Sequence, residues 1–130
     1  MGGTRDEAAA LARSGPVGDD VGARVRRFTE WAPVAAVFTD EVRVRDHVVG
    51  FVEGRHALSA YIRDGVGRSP FRRYRVRLWI IDSNRVSTVL RAEGPSGGLD
   101  VNVVLHYAGG RRWSYVEIVY NPQEIPRPGA

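Results

Sequence analysis

The second half of the chain consists almost entirely of runs in which apolar and polar residues alternate. Four such runs are YRVRLWIID at 74–82, RVSTVLRAE at 85–93, LDVNVVLHY at 99–107 and RWSYVEIVYN at 112–121. Alternation with a period of two is typical of strands that bury one face. Because only short loops separate the runs, we predict four consecutive antiparallel strands.

Helical patterns precede these strands. RDEAAALAR at 5–13, with Thr4 as a cap, predicts a short helix that ends at the breaker SGPVG. From Asp19, a good N-cap, apolar residues recur at helical spacing. They are Val21, Val25, Phe28 and Trp31 or Ala32. A second short helix is predicted in PVAAVF, with Pro33 in its first turn.

Two short strands and a fourth helix complete the pattern. FTDEVRVRD at 38–46 and VVGFVEG, which ends at Gly54, predict the strands, and RHALSAYIRDGVG predicts a helix stopped by glycines. The order predicts an α+β domain whose helices collect on one face of a curved antiparallel sheet. We assign residues 19–121 to this domain, 1–18 to an N-terminal arm that adds little to the core, and the proline-rich residues 122–130 to an irregular tail.

Composition argues against several classes of function. A chain of 130 residues fits one domain with its own core, and without cysteine it has no disulfide framework or thiolate metal site. The three histidines are scattered, so we expect no metal and no other cofactor. The formal charge of +4 comes from arginines spread in ones and twos, which is typical of a solvated sheet face rather than a nucleic-acid site. No apolar run approaches a membrane span, and we expect a soluble cytoplasmic protein without membrane partners.

One carboxylate does not fit the simple strand pattern. In the first strand Val42, Val44 and Asp46 share one face, while Arg43 and Arg45 share the other. A strand with one buried side normally turns its charged residues outward. Asp46 is therefore either solvated at the end of the strand, or its side chain points into the folded domain.

The run F-x-D-x-V-x-V-x-D at 38–46, followed eight residues later by G-R-H-A-L, resembles a known superfold. Together with the order of helices and strands, it is similar to the nuclear transport factor 2 fold. The relatives are SnoaL-like polyketide cyclases, ketosteroid isomerases and limonene-epoxide hydrolases. The resemblance covers residues 19–121 and implies a cone with a ligand cavity between the helices and the concave face of the sheet. It does not by itself name an activity.

The last hairpin predicts which residues share a face. A two-residue type I′ turn at Gly109-Gly110 would place Asn102 opposite Glu117, Val104 opposite Tyr115 and His106 opposite Trp113. That face mixes polar and aromatic residues, and the other face is aliphatic, with Val101, Val103, Val116 and Ile118. On structural grounds the aliphatic face would pack against the helices. The resemblance favours the opposite assignment, with the mixed face lining the cavity.

Two relatives imply two different sets of site residues. In ketosteroid isomerases the position matching Asp46 carries the aspartate that abstracts a proton, and the position matching Asn102 carries an acid that binds the oxyanion. Here the second position is an amide, and the tyrosine expected on the first helix is absent, with Gly22 near that place.

In limonene-epoxide hydrolases an Arg-x-Asp on a middle strand and an aspartate on the last strand act together. Arg91-Ala92-Glu93 and Glu117 occupy the corresponding elements.

We therefore predict an acid-base enzyme, independent of metal, that acts on a small hydrophobic molecule by epoxide opening, cyclisation or isomerisation. Asp46 is the predicted general base and Glu117 the proton donor or second carboxylate, with Arg91 and Glu93 orienting it. Residues predicted to bind the substrate are Asn102, Tyr115, Trp79, Tyr61 and His106. The alternative is a noncatalytic ligand-binding or dimerisation module of the same fold. We also predict a homodimer formed through the aliphatic sheet face.

Overall fold

The computed structural model describes residues 4–14, 26–28, 30–69, 71, 73–121 and 123. Three helices lie wholly within these ranges: α1 (Thr4–Ser14), α2 (Trp31–Val37) and α3 (Arg55–Arg68). The helix predicted from Asp19 falls mostly outside the described residues, although residues 26 and 27 are helical. Most of the predicted tail, 122–130, also lies outside them. Of the helices in the described part of the chain, none has both the length and the apolar character needed to cross a bilayer.

All six predicted strands are present, with small differences at their ends. They are β1 (Phe38–Asp46), β2 (Gly50–Glu53), β3 (Arg73–Asp82), β4 (Arg85–Gly94), β5 (Gly97–Gly109) and β6 (Arg112–Val119). They form one sheet in the order β2-β1-β6-β5-β4-β3. Bulges interrupt the β1–β6, β3–β4 and β5–β6 ladders, and bulges bend a sheet. The α+β architecture predicted from the sequence is confirmed.

The pairing of β1 with β6 joins the first two strands to the other four in one sheet. These strands run parallel, with Asp46 opposite Ile118, whereas each of the other four pairs is antiparallel. The paired segments of β1 and β6 lie about 70 residues apart along the chain; Arg43, for example, is opposite Tyr115. Such a connection has no turn to limit its direction, so local patterns do not predict it.

The hairpin between β5 and β6 has the predicted type of turn at a different position. Gly110 and Arg111 are its central residues, each with φ 60°, and Gly109 pairs with Arg112. The Arg111 amide donates to the Tyr107 hydroxyl at 3.0 Å, which supports this position of the turn. Asn102 consequently lies opposite Val119 rather than Glu117, and Glu117 lies opposite Val104.

This shift of two residues preserves most of the predicted faces because side chains alternate with a period of two. Trp113 is the exception. A bulge pairs it with Tyr107, so that it is buried in the core instead of lying beside His106. Its ring contacts Tyr107 edge to face, with centroids 5.7 Å apart.

The helices cover the aliphatic side of the sheet, which we call the inner face. Val103, Leu105 and Val116 are buried there, while Val101 and Ile118 pack against the same core. The opposite side, called the outer face, carries the mixed set of side chains. The assignment favoured by the resemblance is therefore corrected: burial of apolar area places the aliphatic face against the helices. The residues predicted to form a dimer contact, Val101, Val103, Val116 and Ile118, line the interior instead.

The N-terminal helix α1 belongs to the core. Ala8, Leu11 and Ala12 are buried and form part of the same cluster as the sheet residues, and α1 packs against β3, β4 and β5. Glu7 also accepts a hydrogen bond of 3.2 Å from the Tyr107 hydroxyl. The expectation that the arm adds little to the core is corrected, because its apolar residues recur on one helical face and complete the cover of the sheet.

Candidate functional site

A cavity of about 530 Å³ lies between α3 and the inner face of the sheet. Its size is within the range of roughly 300–1,000 Å³ that small-molecule sites usually have. Apolar side chains from both layers form most of its wall, among them Leu58, Ile62, Leu90, Val103 and Val116. The lining fits a ligand that is largely hydrophobic.

Asp46 lies in this cavity at the carboxyl end of β1, and its side chain is almost fully buried, with 2% of the residue exposed. The chain turns immediately after it, through His47, Val48 and Val49. The Oδ1 atom accepts the amide hydrogens of Val48 at 2.8 Å and Val49 at 3.1 Å. This local turn is one that aspartate favours, because its short side chain can accept hydrogen bonds from the following amides. The same contacts fix the direction of the carboxylate.

The second carboxylate oxygen is bound by α3. The Tyr61 hydroxyl donates a hydrogen bond to Oδ2 of Asp46. Helix α3 follows β2 directly, after Gly54 with φ 89°, and its apolar face lines the cavity. This placement brings Tyr61 to Asp46. In the described part of the chain, no ion pair compensates the charge of Asp46.

The geometry leaves Asp46 able to accept one more hydrogen bond or proton. An ionised carboxylate has about four lone-pair sites, two on each oxygen. The two amides use both sites of Oδ1 and Tyr61 uses one site of Oδ2. The remaining site of Oδ2 has no partner among the described residues.

Two tyrosines near this carboxylate have perturbed acidities. Burial, then the hydrogen bond to Asp46 and the negative charge of that residue, raise the pKa of Tyr61 far above its ordinary value. Burial first, and then the charge of Asp46, raise the pKa of Tyr120. Both phenols therefore remain protonated at neutral pH; Tyr61 donates to Asp46, and Tyr120 keeps a proton that it can donate.

Polar residues are few elsewhere along the wall. Asp64 and Arg68, both exposed on α3, contribute charges to the lining, and the hydroxyls of Ser69 and Tyr74 are hydrogen-bonded to each other. Val49 reaches the cavity while remaining mostly exposed. The described residues contain no group of three or more His, Asp or Glu side chains arranged to hold a metal ion.

Asp46 and Tyr61 are the predicted site residues that the structure brings together. The structure places the predicted second carboxylate, Glu117, on the outer face, where Oε2 lies 2.5 Å from Nε2 of His47.

Arg91 and Glu93 are also on the outer face, since the even-numbered residues of β4 are the buried ones. Arg91 pairs with Asp100 at 3.5 Å and Glu93 with Arg75 at 3.2 Å. The prediction that Arg91 and Glu93 orient Glu117 in the cavity is corrected, because both residues form ion pairs on the outer face.

The other predicted contacts to substrate also lie outside the cavity. Asn102 is exposed on the outer face, and His106 packs edge to face against Tyr115 there, with ring centroids 4.9 Å apart. Burial and the charge of Arg85 lower the pKa of His106, and Glu117 opposes that effect. Trp79 packs against the core from β3 and is not among the cavity residues that the structure describes.

Sequence reasoning missed Tyr120 as a cavity residue. Tyr120 continues the alternation of Val116 and Ile118 onto the inner face, one residue past the end of β6. That alternation was the available signal. It could be used only after the inner face had been identified.

The family comparison matches a SnoaL-like domain to residues 24–119, which is most of the chain. Comparison with curated proteins gave no match. Among solved structures, a putative ketosteroid isomerase from Kribbella flavida is 18% identical, with 95% of this chain and 84% of that chain covered and a TM-score of 0.69. A SnoaL-like protein of unknown function from Burkholderia thailandensis is 15% identical, with coverage of 88% and 94% and a TM-score of 0.67.

A de novo designed protein with a curved β-sheet is also similar, at 16% identity, with 95% of this chain and 90% of that chain covered and a TM-score of 0.70. Identities this low show a shared fold. Since a natural enzyme candidate and a designed protein share it, the activity has to be argued from the site.

Proposed function

The chain belongs to the SnoaL-like domain family, and from that premise we propose that it is an acid-base enzyme acting on a small, largely hydrophobic carbonyl compound. Asp46 is the proposed general base, and the outcome is isomerisation or cyclisation of the ligand. A cytoplasmic location is part of the proposal, and the absence of cysteine is compatible with it.

The observation that carries the proposal is the buried carboxylate in a largely apolar cavity. Burying a charge is costly, so it normally requires a partner cation or a function. Asp46 is stabilised by three hydrogen-bond donors rather than by a cation, and these bonds leave one site of Oδ2 unused on a carboxylate that lines the cavity. A fixed carboxylate with one free lone pair suits proton abstraction.

The proposed step begins with a carbon-bound hydrogen next to the ligand's carbonyl group. Oδ2 of Asp46 takes that proton, and the electron pair of the C–H bond moves to form an enolate on the carbonyl oxygen. In a β,γ-unsaturated ketone the enolate is conjugated with the C=C bond, so Asp46 can return the proton to the γ carbon while the C=C bond shifts next to the carbonyl, which completes an isomerisation. Alternatively, the nucleophilic carbon attacks a second carbonyl carbon of the same molecule. The electron pair of that C=O bond moves to its oxygen, which takes the proton from Asp46, and a ring that carries a hydroxyl group is formed.

The opening of an epoxide receives less support. It was predicted from Arg91, Glu93 and Glu117, and all three lie on the outer face. The putative ketosteroid isomerase among the similar structures supports the isomerase class only through its fold.

Exchange of carbon-bound hydrogen tests the proposal without knowledge of the natural substrate. β-Tetralone, a hydrophobic ketone with acidic hydrogens beside its carbonyl, is incubated with the protein in D2O and its deuteration is followed by NMR. We expect the wild type to accelerate exchange and Asp46→Asn to lower the enzymatic rate by about a hundredfold or more, because the amide cannot accept the proton. Asp100→Asn, the same change on the outer face, is the matched control and should retain the wild-type rate.

The proposal fails if Asp46→Asn exchanges as fast as the wild type. Loss of activity in Glu117→Gln combined with a retained rate in Asp46→Asn would instead support the carboxylate of the outer face as the reacting group.

A noncatalytic ligand-binding module is the second candidate. It is favoured by the fact that three of the four lone-pair sites of Asp46 are already occupied within the chain, because these hydrogen bonds give the carboxylate a structural role in joining the turn after β1 to α3. In that case β-tetralone should bind in the cavity with no acceleration of exchange in any variant.

A further inference from the structure

Three tyrosines line the cavity, and their hydroxyl groups differ in what they contact. Tyr61 donates to Asp46, and the hydroxyl of Tyr74 is hydrogen-bonded to Ser69. Among the residues that the structure describes, none is hydrogen-bonded to the hydroxyl of Tyr120. Of the three phenols, Tyr120 is therefore the one whose hydroxyl has no hydrogen-bond partner among the described residues.

The position of Tyr120 relative to Asp46 follows from the parallel pairing of β1 and β6. Asp46 is opposite Ile118, and the His47 amide donates to the Ile118 carbonyl at 3.1 Å, which extends the ladder by one residue. Tyr120 is the next inward-facing residue on that side after Ile118. It thus contributes to the same end of the cavity as the carboxylate.

We propose that the Tyr120 hydroxyl is the hydrogen-bond donor that binds the ligand's carbonyl oxygen while the neighbouring C–H bond faces Oδ2 of Asp46. This inference rests on the proposed function and assigns the ligand a carbonyl group beside an acidic carbon. In the enolate the oxygen carries more negative charge than in the ketone, so the same hydrogen bond becomes stronger as the proton leaves.

The acidity of Tyr120 agrees with this role. Its pKa is raised by burial and by the charge of Asp46, so the phenol keeps its proton at neutral pH. An ionised phenol in the same place could not donate to the ligand and would repel the enolate.

A matched pair of probes isolates the hydrogen bond. β-Tetralone and tetralin have nearly the same shape, but only the ketone has an oxygen acceptor. Calorimetry on the full chain should show that Tyr120→Phe weakens binding of β-tetralone by about threefold to tenfold, which corresponds to one net hydrogen bond. Binding of tetralin should stay within about twofold, because the aromatic ring remains.

The carbonyl stretching band of bound β-tetralone gives a second readout, independent of affinity. We expect the band to lie at lower frequency in the wild type than in Tyr120→Phe, because a hydrogen bond weakens the C=O bond. Tyr115→Phe removes a hydroxyl from the outer face and should leave the affinity and the band unchanged. An unchanged band in Tyr120→Phe, or equal weakening of both probes, overturns the inference.

The two proposals can fail separately. Retained exchange in Asp46→Asn would remove the proposed base, yet the band of bound β-tetralone would still report the Tyr120 hydrogen bond. If neither probe binds the wild type, the cavity does not take small apolar ketones, and both proposals are overturned.

Discussion

At the scale of single residues, the site depends on how one buried carboxylate is satisfied. Asp46 accepts two hydrogen bonds from the turn that follows it and one from Tyr61 on α3. The turn contacts are local, whereas Tyr61 connects the strand to the helix across the cavity. Tyr61 therefore has a structural role that can be measured separately from any activity.

Tyr61→Phe should reduce stability at neutral pH by about 1–3 kcal/mol, because a buried charged group loses one of its hydrogen bonds. The raised pKa of Tyr61 adds a pH dependence. Below the ordinary tyrosine pKa of about 10 the stabilisation is fully present. Above it the unfolded chain releases the proton before the folded chain does, so stability falls by up to about 1.4 kcal/mol per pH unit.

Urea unfolding at about pH 8 and about pH 11, on either side of the ordinary tyrosine pKa, measures this effect. The difference in stability between wild type and Tyr61→Phe should shrink at the higher pH. In Tyr115→Phe, the control on the outer face, the alkaline decline should match that of the wild type. A constant difference between wild type and Tyr61→Phe at both pH values would contradict the prediction.

At the scale of elements, alternation along each strand decides which residues can meet a ligand. In β4, Leu90 and Ala92 line the cavity while Arg91 and Glu93 form ion pairs on the opposite side. Each helix also buries one face, with a helical period instead of a period of two. Helix α1 turns Ala8, Leu11 and Ala12 inward, which makes it a structural part of the domain.

Leu11→Ala tests the contribution of α1. Leu11 is 8% exposed and belongs to the core cluster. Its truncation should lower the free energy of unfolding by about 2–5 kcal/mol through lost burial and a residual cavity. Arg5→Ala, an exposed change in the same helix, should stay within about 0.5 kcal/mol. If chemical denaturation shows both variants equal to the wild type, α1 is the dispensable arm that the sequence suggested.

At the scale of the whole molecule, the outer face remains open in a single chain. Its rows run across the sheet from Leu78 through Val89 and Asn102 to Val119, and from Ile80 through Ser87 and Val104 to Glu117. Leu78, Ile80 and Val119 are large apolar residues with 40% or more of their surface exposed. Leu78 and Ile80 are alternate residues of one strand, β3, and exposed large apolar side chains that lie side by side are frequent at interfaces.

We propose that two copies pair through this outer face, in place of the aliphatic face first predicted. Sedimentation at micromolar concentration should give about twice the 14.4 kDa chain mass. Ile80→Arg should give a monomer, since it places a charge in the contact, whereas Ile80→Val should preserve the dimer. A wild-type monomer under these conditions would rule out the proposed pairing.

The sequence alone determined the local elements and the sharing of faces. Period-two alternation placed Val42, Val44 and Asp46 on one side of β1, and it separated the aliphatic and mixed sides of β5 and β6 even though the turn was predicted one residue early. These inferences succeeded because backbone geometry sets the direction of each side chain relative to its neighbours in the chain. Helix α3 was predicted on the same basis, from its spacing of apolar residues and its glycines.

Tertiary structure alone decided which side of the sheet faces the helices and which distant residues meet. Alternation is symmetric between the two sides, so it could not exclude Glu117, Arg91 and Asn102 from the cavity; packing of the helices on the aliphatic side did so. The contact of Tyr61 with Asp46 depends on the placement of α3. The position of Tyr120 in the same cavity as Asp46 depends on the parallel β1–β6 ladder. Local sequence patterns do not predict these placements, because the placements follow from the burial of apolar area summed over the whole domain.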